Sequence, residues 1–387
     1  MKRLITLLFV LCSICSICTL CAEEFTESLP NVTHQIAADG PFNRKLLLDT
    51  LNYKLVRNDG SIVRNTNPRI SVAVDNSAYV FNNARRYITI FTIDSINEIH
   101  RVKGGFSQLF PFPSGCSRTV AADQTNRLGI IDRKGEFKVY LDSAITTVRN
   151  FSEGYAVIAT SRGYGYVDTL GNEVIKSRFT EAYRFNCGHA VVKKPHNGDY
   201  FIIDKKGRQK ANVSFLDYEA PLPKTPTFYC GLLPMWKKDK TVMLDFNAKE
   251  VFSMPGRWLL NGAVDSCLLI SNKGIYRVIN TEGTVLTENH APIWLLGAER
   301  LSKKDGDVTY LCNLQGQHIV STPFVYIRPF YDEQTAFATT TDGRWIIIDI
   351  EGQELSEIPE LRGWNMHPRI SMLPPFEDYI TTNPKRL

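Results

Sequence analysis

A short β-rich run that ends in Asp or Asn, turns, and is usually closed by Gly before another short strand recurs along the chain. The clearest copies read RLGIIDRKGEFKV (127–139), GYGYVDTLGNEVI (163–175), YFIIDKKGRQ (200–209) and RWIIIDIEGQEL (344–355). Weaker copies are VRNDGSIV, FTIDSINEI, VMLDFNAKEV, YRVINTEGTVL and YLCNLQGQHIV. Aligned on Asn58, Asp94, Asp132, Asp168, Asp204, Asp245, Asn280, Asn313 and Asp349, the successive spacings are 36, 38, 36, 36, 41, 35, 33 and 36. A fixed period of this size signals stacked supersecondary units, because one such unit cannot bury a core alone.

In the copy from Phe151 to Phe185, β signals cover Tyr155–Ala159, Tyr164–Asp168 and Glu173–Ile175, with a further extended segment through Phe179–Phe185. An Asp side chain bonds its own downstream backbone, and Gly supplies positive φ, so Asp-x-x-Gly makes a tight turn. Asp132 with Gly135, Asp168 with Gly171, Asp204 with Gly207 and Asp349 with Gly352 are therefore read as structural turn pairs. Phe151, Phe185 and Phe228 stand at matching places, with Phe112 and Phe330 equivalent, and are expected to pack between neighbouring units.

These residues carry a resemblance. The order Glu153-Gly154, Ala156, Tyr164-Gly165-Tyr166, Asp168, Gly171, Glu173-Val174-Ile175 resembles the WG repeat of bacterial proteins, specifically over Arg127–Arg208 and by period over Tyr53–Leu355. The Trp-Gly pair itself is replaced by Leu128-Gly129 and Tyr164-Gly165, and Trp345 lacks its Gly. The resemblance implies a bacterial, exported or surface, propeller-like or spiral array and no defined reaction.

The periodicity itself predicts an all-β repeat fold of about eight 36-residue units, either a β-propeller or an open β-superhelix. No helical periodicity separates the strands, which excludes α/β folds. The expected organisation is a signal peptide at 1–22, an N-terminal extension or cap at 23–51, the array at 52–356, and a tail or blade-closing segment at 357–387. The Pro-rich stretch Ala220–Pro226 accounts for the long spacing and reads as an exposed loop.

Lys2 and Arg3, an apolar stretch Leu4–Leu20 and Ala22 before two glutamates make a secretory leader, too short and polar for a membrane span. Its cysteines raise a lipid anchor, but Ser16-Ile17-Cys18 and Thr19-Leu20-Cys21 do not fit a lipobox. Localisation in the periplasm, at the outer surface or outside the cell follows. The remaining cysteines, Cys116, Cys187, Cys230, Cys267 and Cys312, are an odd set without zinc spacing. Cys187 and Cys230 occupy equivalent places, FNCG and FYCG, and pair if that position faces its neighbour; the alternative is a pair of small buried hydrophobes.

Of 45 Lys and Arg, two lie in the leader, against 40 Asp and Glu, a balance that argues against nucleic acid as partner. Lys193, Lys194, His196, Lys205, Lys206, Arg208 and Lys210 crowd one repeat and form a candidate anionic-ligand patch, or a solvated hairpin end.

Hydrolase, phosphate-loop and dinucleotide motifs are not found, and the seven histidines are scattered, so neither metal, cofactor nor catalytic residue is assigned. Cys187-Gly188-His189 shares a face if extended. Asp332-Glu333, Asp305 and Asp307 read as loop charges. Asp-Ser/Thr-apolar triplets at Asp49, Asp94, Asp142 and Asp168 resemble the O-glycosylation acceptor of exported Bacteroidota proteins. Two functions follow as expectations: a non-catalytic platform binding a protein or glycan at the bacterial envelope, or a secreted hydrolase or lyase acting on glycans or peptides.

Overall fold

The computed structural model describes the strands within 69–101, most of 106–357, and 380–381. The leader, the 23–51 extension, Asn58, Asp94, Phe112, His196, residues 221–225, Asp332, Glu333 and most of the 357–387 tail lie outside the described residues. Every described regular element is a strand. The strands form consecutive antiparallel meanders, one per sequence period.

The first two units comprise Arg69–Ala73, Ser77–Asn82, Tyr87–Ile93 and Ile99–Arg101, then Gln108–Leu109, Arg118–Ala122, Leu128–Asp132 and Phe137–Tyr140. The third holds Thr147–Val148, Tyr155–Thr160, Gly163–Asp168 and Glu173–Phe179; the fourth holds Glu181–Ala182, His189–Lys193, Tyr200–Asp204 and Gln209–Val213. The fifth has Leu233–Lys237, Lys240–Leu244 and Glu250–Pro255, with Glu219 bridging Trp236 in place of a first strand. The sixth is Leu259–Val264, Cys267–Asn272, Ile275–Asn280 and Val285–Asn289. The seventh (Ile293–Gly297, Arg300–Asp305, Val308–Asn313) joins the eighth (Phe324–Ile327, Thr335–Thr340, Trp345–Asp349, Glu354–Glu357) through one residue pair, Thr309 with Phe324. This is the blade construction of a propeller-like all-β repeat.

The expected fourth segment of each unit is corrected in order. The strand Glu173–Phe179 already reaches Phe179, and Glu181–Ala182 opens the next sheet, so the short first strand, Thr147–Val148 in the third unit, supplies the fourth member. The tail strand Ile380–Thr381 adds to that same first strand, in the third unit rather than the last.

The recurring Asp saturates its turn. Asp168 Oδ1 accepts the N–H groups of Leu170 and Asn172, both at 2.9 Å, while Gly171, at φ 85°, donates to the Asp168 carbonyl. The same two bonds form at Asp132, Asp204, Asp245, Asn280, Asn313 and Asp349. The motif glycine has a different cause. Between Tyr164 and Tyr166 the ladder to the fourth strand slips register, and a Cβ on Gly165 would lie 2.6 Å from the Ile175 carbonyl oxygen.

Aromatics weld the sheets. Phe151 packs with Val120 and Ile130 of the second unit and Ile158 of the third. Phe185 joins Tyr166 and Ile175 to Val192 and Phe201, and Phe228 joins Ile202 to Leu233. Phe330 is buried with Leu296, Ala336 and Ile348. Ala220, at the start of the Pro-rich stretch, is buried in the cluster around Phe228 and so departs from an exposed loop.

Two polar series run along the end of the sheets where second strands begin. Glu153-Gly154, Cys187-Gly188, Cys230-Gly231, Asp265-Ser266 and Ala298-Glu299 all have both φ angles positive, the geometry of a tight two-residue hairpin turn. The first residue of one turn accepts the second N–H of the next at three boundaries: Glu153 from Gly188 at 2.9 Å, Cys187 Sγ from Gly231 at 3.4 Å, and Asp265 from Glu299 at 3.1 Å. Beside this relay, the first residue of a second strand covers the turn after the next unit's Asp or Asn. Arg118 donates to the Thr169 carbonyl, Lys205 lies over Tyr155, His189 stacks on Phe246 at 4.1 Å, and Arg300 donates to the Ile350 carbonyl.

Candidate binding face

The basic residues of the fourth unit fall into two groups. Lys193 pairs in register with Tyr200 at one end of the hairpin, whereas Asp204, which precedes Lys205 and Lys206, pairs with His189 at the other. Four residue steps separate the ends, roughly 13 Å along a strand. Lys193 Nζ lies 3.0 Å from Glu181, and Lys194 donates to Gln209 at 2.7 Å while covering Phe201. At the far end Lys205 is 3.6 Å from Glu153, and Arg208 and Lys210 are 2.8 and 3.9 Å from the Asp204 carboxylate.

Lys193 belongs to a larger polar constellation at the first strands. Tyr183 donates to Glu181 at 2.5 Å, and Arg149 lies 5.9 Å from the Tyr183 ring. Burial, with the neighbouring Glu181 carboxylate, pushes the Tyr183 phenol well above its ordinary range. Burial also raises Tyr200, reinforced by Glu181 and opposed by Lys193. The Tyr183 phenol thus stays protonated and serves as the hydrogen-bond donor to Glu181.

The constellation continues across the next units. Glu219 pairs with Arg257 at 3.2 Å, and Arg257 lies 5.1 Å over the Trp236 ring. Trp236 Nε1 donates to the Trp258 carbonyl at 2.9 Å; Arg277 covers Trp258 at 4.5 Å and pairs with Glu288 at 2.6 Å. Both tryptophans are buried beneath guanidinium groups.

Trp294 differs, with 47% of its surface exposed on the first strand of the seventh unit. It pairs with Ser302, the third residue of its second strand. Gly262, at the same level on the adjacent first strand of the sixth unit, pairs with Leu269. A Cβ on Gly262 would meet nothing within 4 Å. An uncovered indole thus stands at the level of an open backbone, an arrangement that receives a flat, partly apolar ligand surface by stacking. The signal was present in Ile293-Trp294-Leu295: strand alternation puts the indole opposite its buried neighbour.

The remaining titratable residues are dispersed. Cys187 lies in a turn with φ 53°, not on a strand, and His189 Nδ1 lies 3.0 Å from the Cys187 carbonyl oxygen. Among the described residues no disulfide joins the five cysteines. Tyr310 stacks on His318 at 4.2 Å; Asp307 is an exposed turn residue, whereas Asp305, read as a loop charge, is the exposed last residue of the strand Arg300–Asp305, paired with Val308. Among the described residues no group of three or more His, Cys, Asp or Glu is arranged to hold a metal ion, and no helix is long and apolar enough to cross a membrane.

No curated protein matches the chain. Among solved structures, it is similar to Kluyveromyces lactis Hsv2, with 10% identity and a TM-score of 0.38, covering 71% of this chain and 94% of that one. Dihydro-heme d1 dehydrogenase NirN gives 12% identity and a TM-score of 0.44 over 79% and 77% of the two chains. The C-terminal WD40 domain of Sif2 gives 12% and 0.36 over 72% and 79%. Residues 164–194 match the family model described as WG containing repeat, so the segment from the third strand of the third unit to the second strand of the fourth is a WG-type repeat.

Proposed function

We propose that the mature chain is a non-catalytic binding platform of the bacterial envelope, which engages a protein or glycan partner through the first-strand edge of units four to seven. The observation that carries this reading is the exposed indole of Trp294, level with the open backbone of Gly262 and in the same stretch of units as the buried Trp–Arg pairs. A sugar ring, or the aliphatic face of an extended peptide, stacks on such a surface, and exposed cationic and phenolic groups supply polar contacts. Export is supported by Lys2-Arg3, the apolar stretch to Leu20, and Ala22.

Titration of residues 23–387 with defined envelope oligosaccharides and extended peptides, followed by tryptophan fluorescence, tests the platform. Trp294→Ala is expected to weaken binding about tenfold with unchanged folding. Unaltered affinity in that variant refutes this edge as the site. Recovery of the chain in the cytoplasmic fraction of its own cells, with residues 1–22 still attached, refutes the export reading.

A further inference from the structure

The series of hairpin turns uses carboxylates as acceptors at Glu153 and Asp265 and the Cys187 thiol between them, with Cys230 at the turn that follows Cys187. Cys187 and Cys230 share the same left-handed backbone, φ 53° and 49°, at the same place in adjacent units. Cys187 Sγ lies 3.4 Å from the Gly231 nitrogen, one peptide bond beyond Cys230. Standard bond lengths then put that sulfur within about 6 Å of the Cys230 Cα. Burial raises the Cys230 thiol above its ordinary value, and the neighbouring Cys187 adds to the rise.

We propose that Cys187 and Cys230 are a disulfide-forming pair that staples the fourth unit to the fifth under oxidising conditions. With the Cys187 sulfur already beside the Cys230 backbone, rotation of Cys230 about its Cα–Cβ bond toward the preceding turn joins the sulfurs with a small approach of the two turns. One thiolate attacks a disulfide oxidant, such as oxidised glutathione, and expels one thiol. The second thiolate then attacks the mixed disulfide and expels the other. Two protons and two electrons pass to the oxidant, and one S–S bond forms in the protein as one breaks in the reagent.

The location has a physical rationale. The boundary spans the longest repeat spacing, 41 residues between Asp204 and Asp245. A bridge from 187 to 230 closes the loop containing the Pro-rich stretch, and constraining a loop of this length lowers the entropy of the unfolded chain. Cys187 and Cys230 are only partly buried, whereas Cys267 and Cys312 are buried and Cys116 belongs to the second unit.

The test equilibrates the folded, reduced protein with oxidised glutathione, traps remaining thiols by alkylation, and maps the peptides by mass spectrometry. A linked peptide containing Cys187 and Cys230 is expected, together with an unfolding midpoint raised by several degrees, on the order of what loop closure supplies. Cys187→Ser should leave Cys230 alkylatable and remove the thermal gain. Complete alkylation of both residues in the wild-type protein, or a dominant link from Cys230 to Cys267, overturns the proposal. The wild-type chain alone decides between these outcomes, whatever the folding of the variant.

Discussion

Glu153 accepts the N–H of Gly188 at 2.9 Å across the boundary between the third and fourth sheets, and the same carboxylate holds Lys205 at 3.6 Å. One side chain thereby fastens a hairpin turn and an Asp turn of the following unit. Because each unit buries little by itself, such boundary contacts govern whether neighbours unfold together.

Glu153→Ala should destabilise the protein by about 1 kcal/mol, the scale of one net hydrogen bond, since the partly exposed ion pair adds little. Glu153→Gln keeps an oxygen acceptor and should recover most of that loss. Urea denaturation of the three proteins measures the difference, and equal midpoints for all three would contradict the relay.

Phe185 tests the apolar side of the same boundary. It is fully buried between Tyr166 of one sheet and Phe201 of the next. Phe185→Ala should cost about 3–5 kcal/mol through lost transfer energy and the cavity left behind. Trp294→Ala, which removes an indole already half in water, should change stability by less than about 1 kcal/mol.

Gly165→Ala should be severely destabilising, by roughly 1–3 kcal/mol or more, because the new methyl meets backbone on two sides. Its Cβ would lie 2.6 Å from the Ile175 oxygen and 2.7 Å from the Ser177 nitrogen, neither of which is a flexible side-chain tip. Gly262→Ala provides the contrast, because a Cβ there enters open space. Parallel denaturation curves distinguish steric demand from a general intolerance of alanine in strands.

The period was legible in the sequence because Asp-x-x-Gly turns are local: Asp168, Gly171 and their backbone partners lie within five residues. Phe151, Phe185 and Phe228 were legible as core because one aromatic per unit has only the neighbouring sheet to enter. The first strands were not. Thr147–Val148 and Glu181–Ala182 are two residues long, too short for any alternation, and their pairing is fixed by the strands that follow. The crowding of lysines in the fourth unit was a property of sequence proximity, whereas antiparallel pairing sends Lys193 and Lys205 to opposite ends. The sequence displayed the equivalence of Cys187 and Cys230 in FNCG and FYCG, but not that of Glu153 and Asp265, dissimilar side chains that join the same series only through a shared backbone conformation.

Acid should weaken the array through the carboxylates of Asp204 and Glu173, and Asp204 shows the sign. Burial opposes its ionisation. The N–H and guanidinium of Arg208 and the N–H of Lys206 outweigh that cost and hold the carboxyl below its ordinary value. Glu173 is lowered in the same way: burial is outweighed by the hydroxyl and N–H of Ser177 and by Lys176. A group whose folded pKa lies below its unfolded one contributes fully above the unfolded value, about 3.9 for Asp, and loses that contribution as pH falls through the folded value. Urea midpoints should therefore be steady from pH 7 to about 5 and fall below about pH 4. Asp204→Asn preserves the turn acceptor, as Asn280 and Asn313 do in their own units, but removes the charge. The variant should be less stable at neutral pH and show a shallower decline in acid, converging on the wild type only once the pH lies below the folded value of Asp204. An acid limb of unchanged steepness would exclude Asp204 from the linkage and leave Glu173 as the group to replace next.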